Sequence, residues 1–143
     1  MVGGLNDYAR QRAEQLAEMG YVAFALDMYG ARKVTQHSDQ VGKWVREVQA
    51  NVDDWQARAI KGLTILREHA LVDGERITVI GYCFGGATMM QLAYSGADIQ
   101  GVVSFHGLLP IPDVQQASRI REKILIAHGN ADPFISEEHI KKF

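Results

Sequence analysis

The amino-acid sequence predicts a three-layer α/β fold built around a parallel sheet. Three observations carry that expectation. Four short runs have the length and apolar content of strands: Tyr21 to Leu26, Arg76 to Ile80, Gly101 to Phe105 and Lys123 to Ala127. The stretches between them show helical apolar spacing or read as polar loops. The first run is continuously apolar and has a helix pattern on each side, which suits a strand buried on both faces of a parallel sheet.

Taken in order, Leu5, Tyr8, Ala9, Ala13, Leu16 and Ala17 fall on one helical face, with Asn6 or Asp7 to cap its start and Gly20 to stop it. The strand Tyr21 to Leu26 follows, then a polar loop from Ala31 to Gln40. Val41 to Val48 reads as a second helix. A third starts at Asp53, where Trp55, Ala59, Leu63 and Leu66 recur at helical spacing. Asp73 and Gly74 turn the chain into the strand Arg76 to Ile80. Gly86 to Tyr94 reads as a buried helix in which Met89 and Met90 are packing residues. A Pro-containing loop and a short helix separate the last two strands, and Ser136 to Phe143 reads as a capped helix start. No repeat or low-complexity tract interrupts this order, and residues 1–143 are expected to form one domain.

Composition narrows the class. With 143 residues, 47% of them hydrophobic, the chain can bury a sizeable core. No apolar run approaches the roughly 18 to 20 residues of a spanning helix, and the first residues have neither the basic stretch nor the apolar core of a signal peptide. A single cysteine excludes an internal disulfide and fits a reducing compartment. A net charge of -2 with scattered basic residues leaves no footprint for nucleic acid. The expectation is a cytoplasmic protein acting on a small molecule, with no membrane or nucleic-acid partner and no cofactor or metal.

The chemistry concentrates at Gly81-Tyr82-Cys83-Phe84-Gly85-Gly86, directly after a strand candidate. The Gly-x-Cys-x-Gly-Gly pattern reads as a nucleophile elbow with a thiol in place of the usual hydroxyl. Such a turn holds its nucleophile on strained backbone and presses together the residues two before and two after it. Gly81 and Gly85 are expected to supply that room. The following helix would turn its positive end toward Cys83, which favours thiolate. The bland alternative is a buried, inert cysteine, but a core cysteine needs no glycines around it. A phosphate-binding turn fits less well, because the spacing is not Gly-x-Gly-x-x-Gly and Tyr82, Cys83 and Phe84 crowd the place of a pyrophosphate.

Parallel sheets gather reactive groups at the carboxyl ends of their strands. Cys83, His106 and Asp132 each follow a successive strand candidate, so all three are expected along one edge. In hydrolases with this elbow the chain order is nucleophile, acid, histidine. Cys83 and Asp132 keep that order. None of the five histidines completes it: His37 and His69 lie in a loop and near a helix end, His106 and His128 precede the acid, and His139 follows it by only seven positions. His128 is expected to bond locally and hold the acid loop.

With Gly81-Tyr82-Cys83-Phe84-Gly85-Gly86, Ser104-Phe105-His106-Gly107 and His128-Gly129-x-x-Asp132-Pro133 in this order, the chain resembles the dienelactone hydrolase family of α/β-hydrolases. Gly4-Leu5-Asn6, Gly20-Tyr21-Val22-Ala23 and Asp27-Met28-Tyr29-Gly30 match as well, and the resemblance covers essentially the whole chain. It implies hydrolysis of a small-molecule ester or lactone, with Cys83 as nucleophile and Asp132 as the acid that orients a histidine. The backbone amides of Phe84 and Val2 would form the oxyanion hole.

The departures are at the ends. The family's strand ending in a glutamate ahead of Gly4-Leu5-Asn6 has no counterpart, nor do its last strand, histidine loop and closing helix. The sheet is therefore expected to be incomplete at both ends, and the chain alone close to inactive. Exposed sheet edges would invite association into a homo-oligomer. The rival function is a non-catalytic α/β remnant that carries an unused elbow.

Overall fold

The computed structural model describes residues 3–143, with six helices and three strands among them. The chain divides into two compact units, Met1–Asp73 and Gly74–Phe143.

The first unit is helical. α1 (Asp7–Glu18) starts at Asn6, whose side chain accepts from the Ala9 amide at 3.2 Å, and ends before Gly20, which is left-handed at φ +92°. α2 (Ser38–Gln49) begins three residues ahead of the expected Val41. α3 (Val52–Arg67) is capped by Asn51, which accepts from the Asp54 amide at 3.1 Å. Asp53 and Asp54 in its first turn and Arg67 in its last complement the helix dipole. Trp55, Ala59 and Leu63, spaced by one helical turn, are buried together with Val48 of α2. Asn51→Ala removes the cap that satisfies an orphan amide and is expected to cost about 1 kcal/mol in urea unfolding.

Residues 21–26 do not form the expected strand. A strand exists only through its ladder, and the pairing described in this unit is an isolated antiparallel bridge between Gly4 and Val34. Apolar content alone could not reveal the missing partner. Tyr21, Val22 and Phe24 stay exposed, while Leu26 packs close to Gly62 on α3, where a Cβ would collide with its side chain.

The second unit holds the sheet. β1 (Thr78–Tyr82), β2 (Gly101–Phe105) and β3 (Lys123–Ala127) lie parallel in that order. β1 sits two residues later than expected, because its ladder with β2 runs on to the pair Tyr82 and Phe105. Those two rings stack at 5.1 Å. α4 (Phe84–Tyr94) joins β1 to β2, packs on both strands and is almost wholly buried, with Ala87, Met90, Leu92 and Tyr94 all inaccessible. The Tyr94 hydroxyl donates to the Pro110 carbonyl at 2.8 Å, and burial pushes its pKa upward. α5 (Val114–Arg119) opens with a capping box between Asp113 and Gln116, and α6 (Glu137–Lys142) is capped by Ser136 as expected. The opposite sheet face keeps Ile80 and Leu125 exposed. The parallel α/β architecture is the expected one, and the sheet is narrow.

Candidate functional site

The strand β1 delivers the chain to Cys83, and α4 leaves from it without an intervening residue. Cys83 is the N-cap of α4 at φ 54°, ψ -119°, a region that side chains other than glycine rarely occupy. Its amide donates to the Phe105 carbonyl at 3.0 Å, so the sheet itself holds the turn in place. The thiol is free and half-buried. Strain of this kind costs about 1–3 kcal/mol and persists only where the surroundings impose it. Cys83→Gly, which removes the Cβ from this backbone, is expected to raise the unfolding free energy by about 1 kcal/mol in a urea titration.

The glycines divide their roles differently from the sequence expectation. A Cβ on Gly81 would fall onto the Gly85 carbonyl and the Gly86 amide, so β1 and the first turn of α4 can touch only without it. A Cβ on Gly85, by contrast, would meet nothing within 4 Å. The second crowded glycine is Gly86, where a Cβ would collide with the Ser104 hydroxyl and lie 3.1 Å from Gly107 Cα. Gly85 therefore packs against Gly81 through its backbone, and the tight side-chain space belongs to its neighbour. Ser104 is fully buried against Gly86 and Gly107, its hydroxyl without a hydrogen-bond partner among the described residues.

His106 follows β2 as Cys83 follows β1. It too is left-handed, at φ 40°, and its amide donates to the Ala127 carbonyl at 2.8 Å. Its side chain is exposed, with the ring 6.4 Å from that of Tyr82. Nothing local in Phe105-His106-Gly107 announces this backbone, which the ladder to β3 imposes.

Asp132 lies in the turn after β3. One carboxylate oxygen accepts from the Phe134 amide at 2.8 Å, and the other is 3.7 Å from His128 Nε2. Both side chains are largely buried, with 7% exposure for His128 and 14% for Asp132. The imidazole lies beside the acid, but the expected local bond is not made: neither ring nitrogen has a hydrogen-bond partner among the described residues. Cys83 and Asp132 share the carboxyl edge of the sheet, with β2 between their strands.

The other histidines are engaged elsewhere. His139 Nε2 lies 2.6 Å from the Leu109 carbonyl, His69 Nδ1 accepts from the Leu71 amide, and His37 is the exposed N-cap of α2. Phe84 is the first residue of α4, at the positive end of its dipole, while Val2 lies outside the described residues. Among the described residues no group of three or more histidine, cysteine or acidic side chains could hold a metal, and no helix is long and apolar enough to cross a membrane.

A model of the dienelactone hydrolase family matches residues 1–143. A solved dienelactone hydrolase-like promiscuous phosphotriesterase from metagenomic libraries superposes with a TM-score of 0.94 at 36% identity, covering 99% of this chain and 59% of its own. A protein of Bradyrhizobium named as a probable 2-oxo-3-(5-oxofuran-2-ylidene)propanoate lactonase is 25% identical over 156 residues, which are 99% of this chain and 60% of that protein. The carboxymethylenebutenolidase of Pseudomonas putida is 23% identical over 142 residues, 92% of this chain and 58% of the enzyme. The chain spans about three fifths of the length of these relatives.

Proposed function

The chain belongs to the dienelactone hydrolase family, and from that premise we propose that it carries the acylation half of a cysteine hydrolase acting on a small-molecule ester or lactone. The observation that carries the reading is Cys83 itself: a free thiol on strained backbone at the head of α4, pinned to the sheet. Its thiolate attacks the ester carbonyl, forming a C–S bond, and the positive end of α4 at Phe84 faces the charge that develops on oxygen. Collapse breaks the C–O bond and leaves a thioester on Cys83; the departing alkoxide, which stays tethered to the acyl group when the substrate is a lactone, takes its proton from water. Deacylation requires a base to activate water, and Asp132 is the acid that would orient a histidine for that step. The histidine beside Asp132 is His128, which follows β3, with β2 between it and the strand of Cys83, so the chain acylates and turns over poorly.

The names of the relatives support a lactone or ester as substrate. The reading fits a cytoplasmic protein that meets its substrate without a membrane or nucleic-acid partner. The deciding experiment is acylation by an activated ester, compared between the native chain and Cys83→Ala. A signal that does not depend on Cys83 would turn the reading toward a non-catalytic remnant.

A further inference from the structure

The first unit contains a pocket of about 120 Å³ that the elbow does not use, lined by Tyr29, Lys33, Trp44, Glu47, Val48 and Arg58. Its floor is apolar: Val48 is 5% exposed and Tyr29 9%, and the Tyr29 ring meets Trp44 at 5.2 Å and 48°. Its rim is charged. Arg58 is fixed by two contacts, Nε to the Asp54 carboxylate at 2.9 Å and Nη1 to the Met28 carbonyl at 3.2 Å. A guanidinium has five N–H donors, so most of its capacity remains for a ligand in a set orientation.

The loop that carries Tyr29 and Lys33 is held as firmly. The Asp27 carboxylate accepts from the amides of Tyr29, Gly30 and Arg32 at 3.1, 3.0 and 2.9 Å. Gly30, Ala31 and Arg32 are all left-handed, at φ 74°, 53° and 54°. Two consecutive strained residues other than glycine mark a loop whose shape is imposed by its surroundings. The Lys33 amide closes it with a 3.2 Å bond to the Gly30 carbonyl.

From this arrangement we propose that the pocket binds a small aromatic monocarboxylate, its ring against Tyr29 and Trp44 and its carboxylate between Lys33 and Arg58. The volume agrees, since a closed cavity of about 150 Å³ takes a benzene ring and this pocket opens to solvent at its charged rim. The two cations are offset by Glu47 on the rim and by Asp54 on Arg58, so the ligand is held by the Lys33 ammonium and the remaining Arg58 donors rather than by net charge, and a dianion is disfavoured. The inference goes beyond the elbow reading and does not depend on it.

The test titrates the intact chain with sodium benzoate and follows the two tryptophan indole N–H signals by nuclear magnetic resonance, with Trp44→Phe assigning them. The Trp44 signal is expected to move and saturate with a Kd of about 1 mM, a strength reasonable for a ligand this small. Lys33→Gln, an exposed change that leaves the floor intact, is expected to weaken binding about 10-fold, as loss of a charge-assisted contact does. Benzamide, which has the ring without the charge, is expected to bind about 10-fold more weakly as well. A shift that never saturates, equal binding of benzamide, or an unchanged Kd in Lys33→Gln overturns the proposal. Cys83→Ala is expected to bind benzoate like the native chain, so failure of the elbow reading leaves this result standing.

Discussion

Mixed with p-nitrophenyl acetate, the chain is expected to release one nitrophenolate per molecule in a burst and then almost stop, while Cys83→Ala gives no burst. The burst follows from a thiol at the head of α4, where the free amides of the first turn face the charge that develops on the attacked oxygen. The arrest follows from the proposed reading, in which no base stands ready to deacylate Cys83: losing members of a catalytic unit costs factors of about 10⁴ to 10⁶ in turnover. Mass spectrometry of the stalled protein is expected to find a single acetyl group on the peptide containing Cys83. A burst of equal size in Cys83→Ala would assign the acylation to another side chain and remove the cysteine from the mechanism.

Gly81→Ala is expected to be the most damaging conservative change in the second unit. The new methyl would overlap the Gly85 carbonyl and the Gly86 amide, which are main-chain atoms of the first turn of α4 and cannot rotate aside. Relief would require lifting α4 from β1, breaking a contact at the centre of this unit. The expected cost is about 3–5 kcal/mol in urea unfolding, at the upper end for a single substitution. Gly85→Ala is the matched control: its methyl meets nothing within 4 Å, and it exchanges glycine for a better helix former. It is expected to be neutral or to stabilise by up to about 1 kcal/mol. Equal damage from both changes would show that the crowding does not reside at Gly81.

These two glycines also show how far the sequence could be read. The spacing around Cys83 is local, so the elbow, its strain and the need for Gly81 were legible in six residues. That Gly86, and not Gly85, needs side-chain space depends on Ser104 behind it, which only the register of β1 with β2 brings there. The same distinction separates β2 and β3, whose expected boundaries match the structure, from residues 21–26, which have the composition of a strand and no ladder. In the candidate site, the place of Asp132 in the turn after a strand and of His128 beside it was legible, and the lack of a hydrogen-bond partner at either ring nitrogen among the described residues was not. The pocket was beyond reach, since its cations Lys33 and Arg58 are far apart in sequence and nothing in Ala31 or Arg32 favours the left-handed backbone that shapes it.

The ladder that pins Cys83 has a consequence apart from the ester chemistry proposed for it. Cys83, His106 and His128 each follow the last residue of one of three adjacent parallel strands, and neighbouring strands are spaced by about 4.8 Å. The backbone amides of the first two are tied to the next strand across. The three positions therefore form a row of side-chain anchors whose spacing is set by main-chain bonds, independent of the side chains mounted on it. For protein engineering this is a fixed mounting rail: one anchor can be exchanged for another functional group without moving its neighbours.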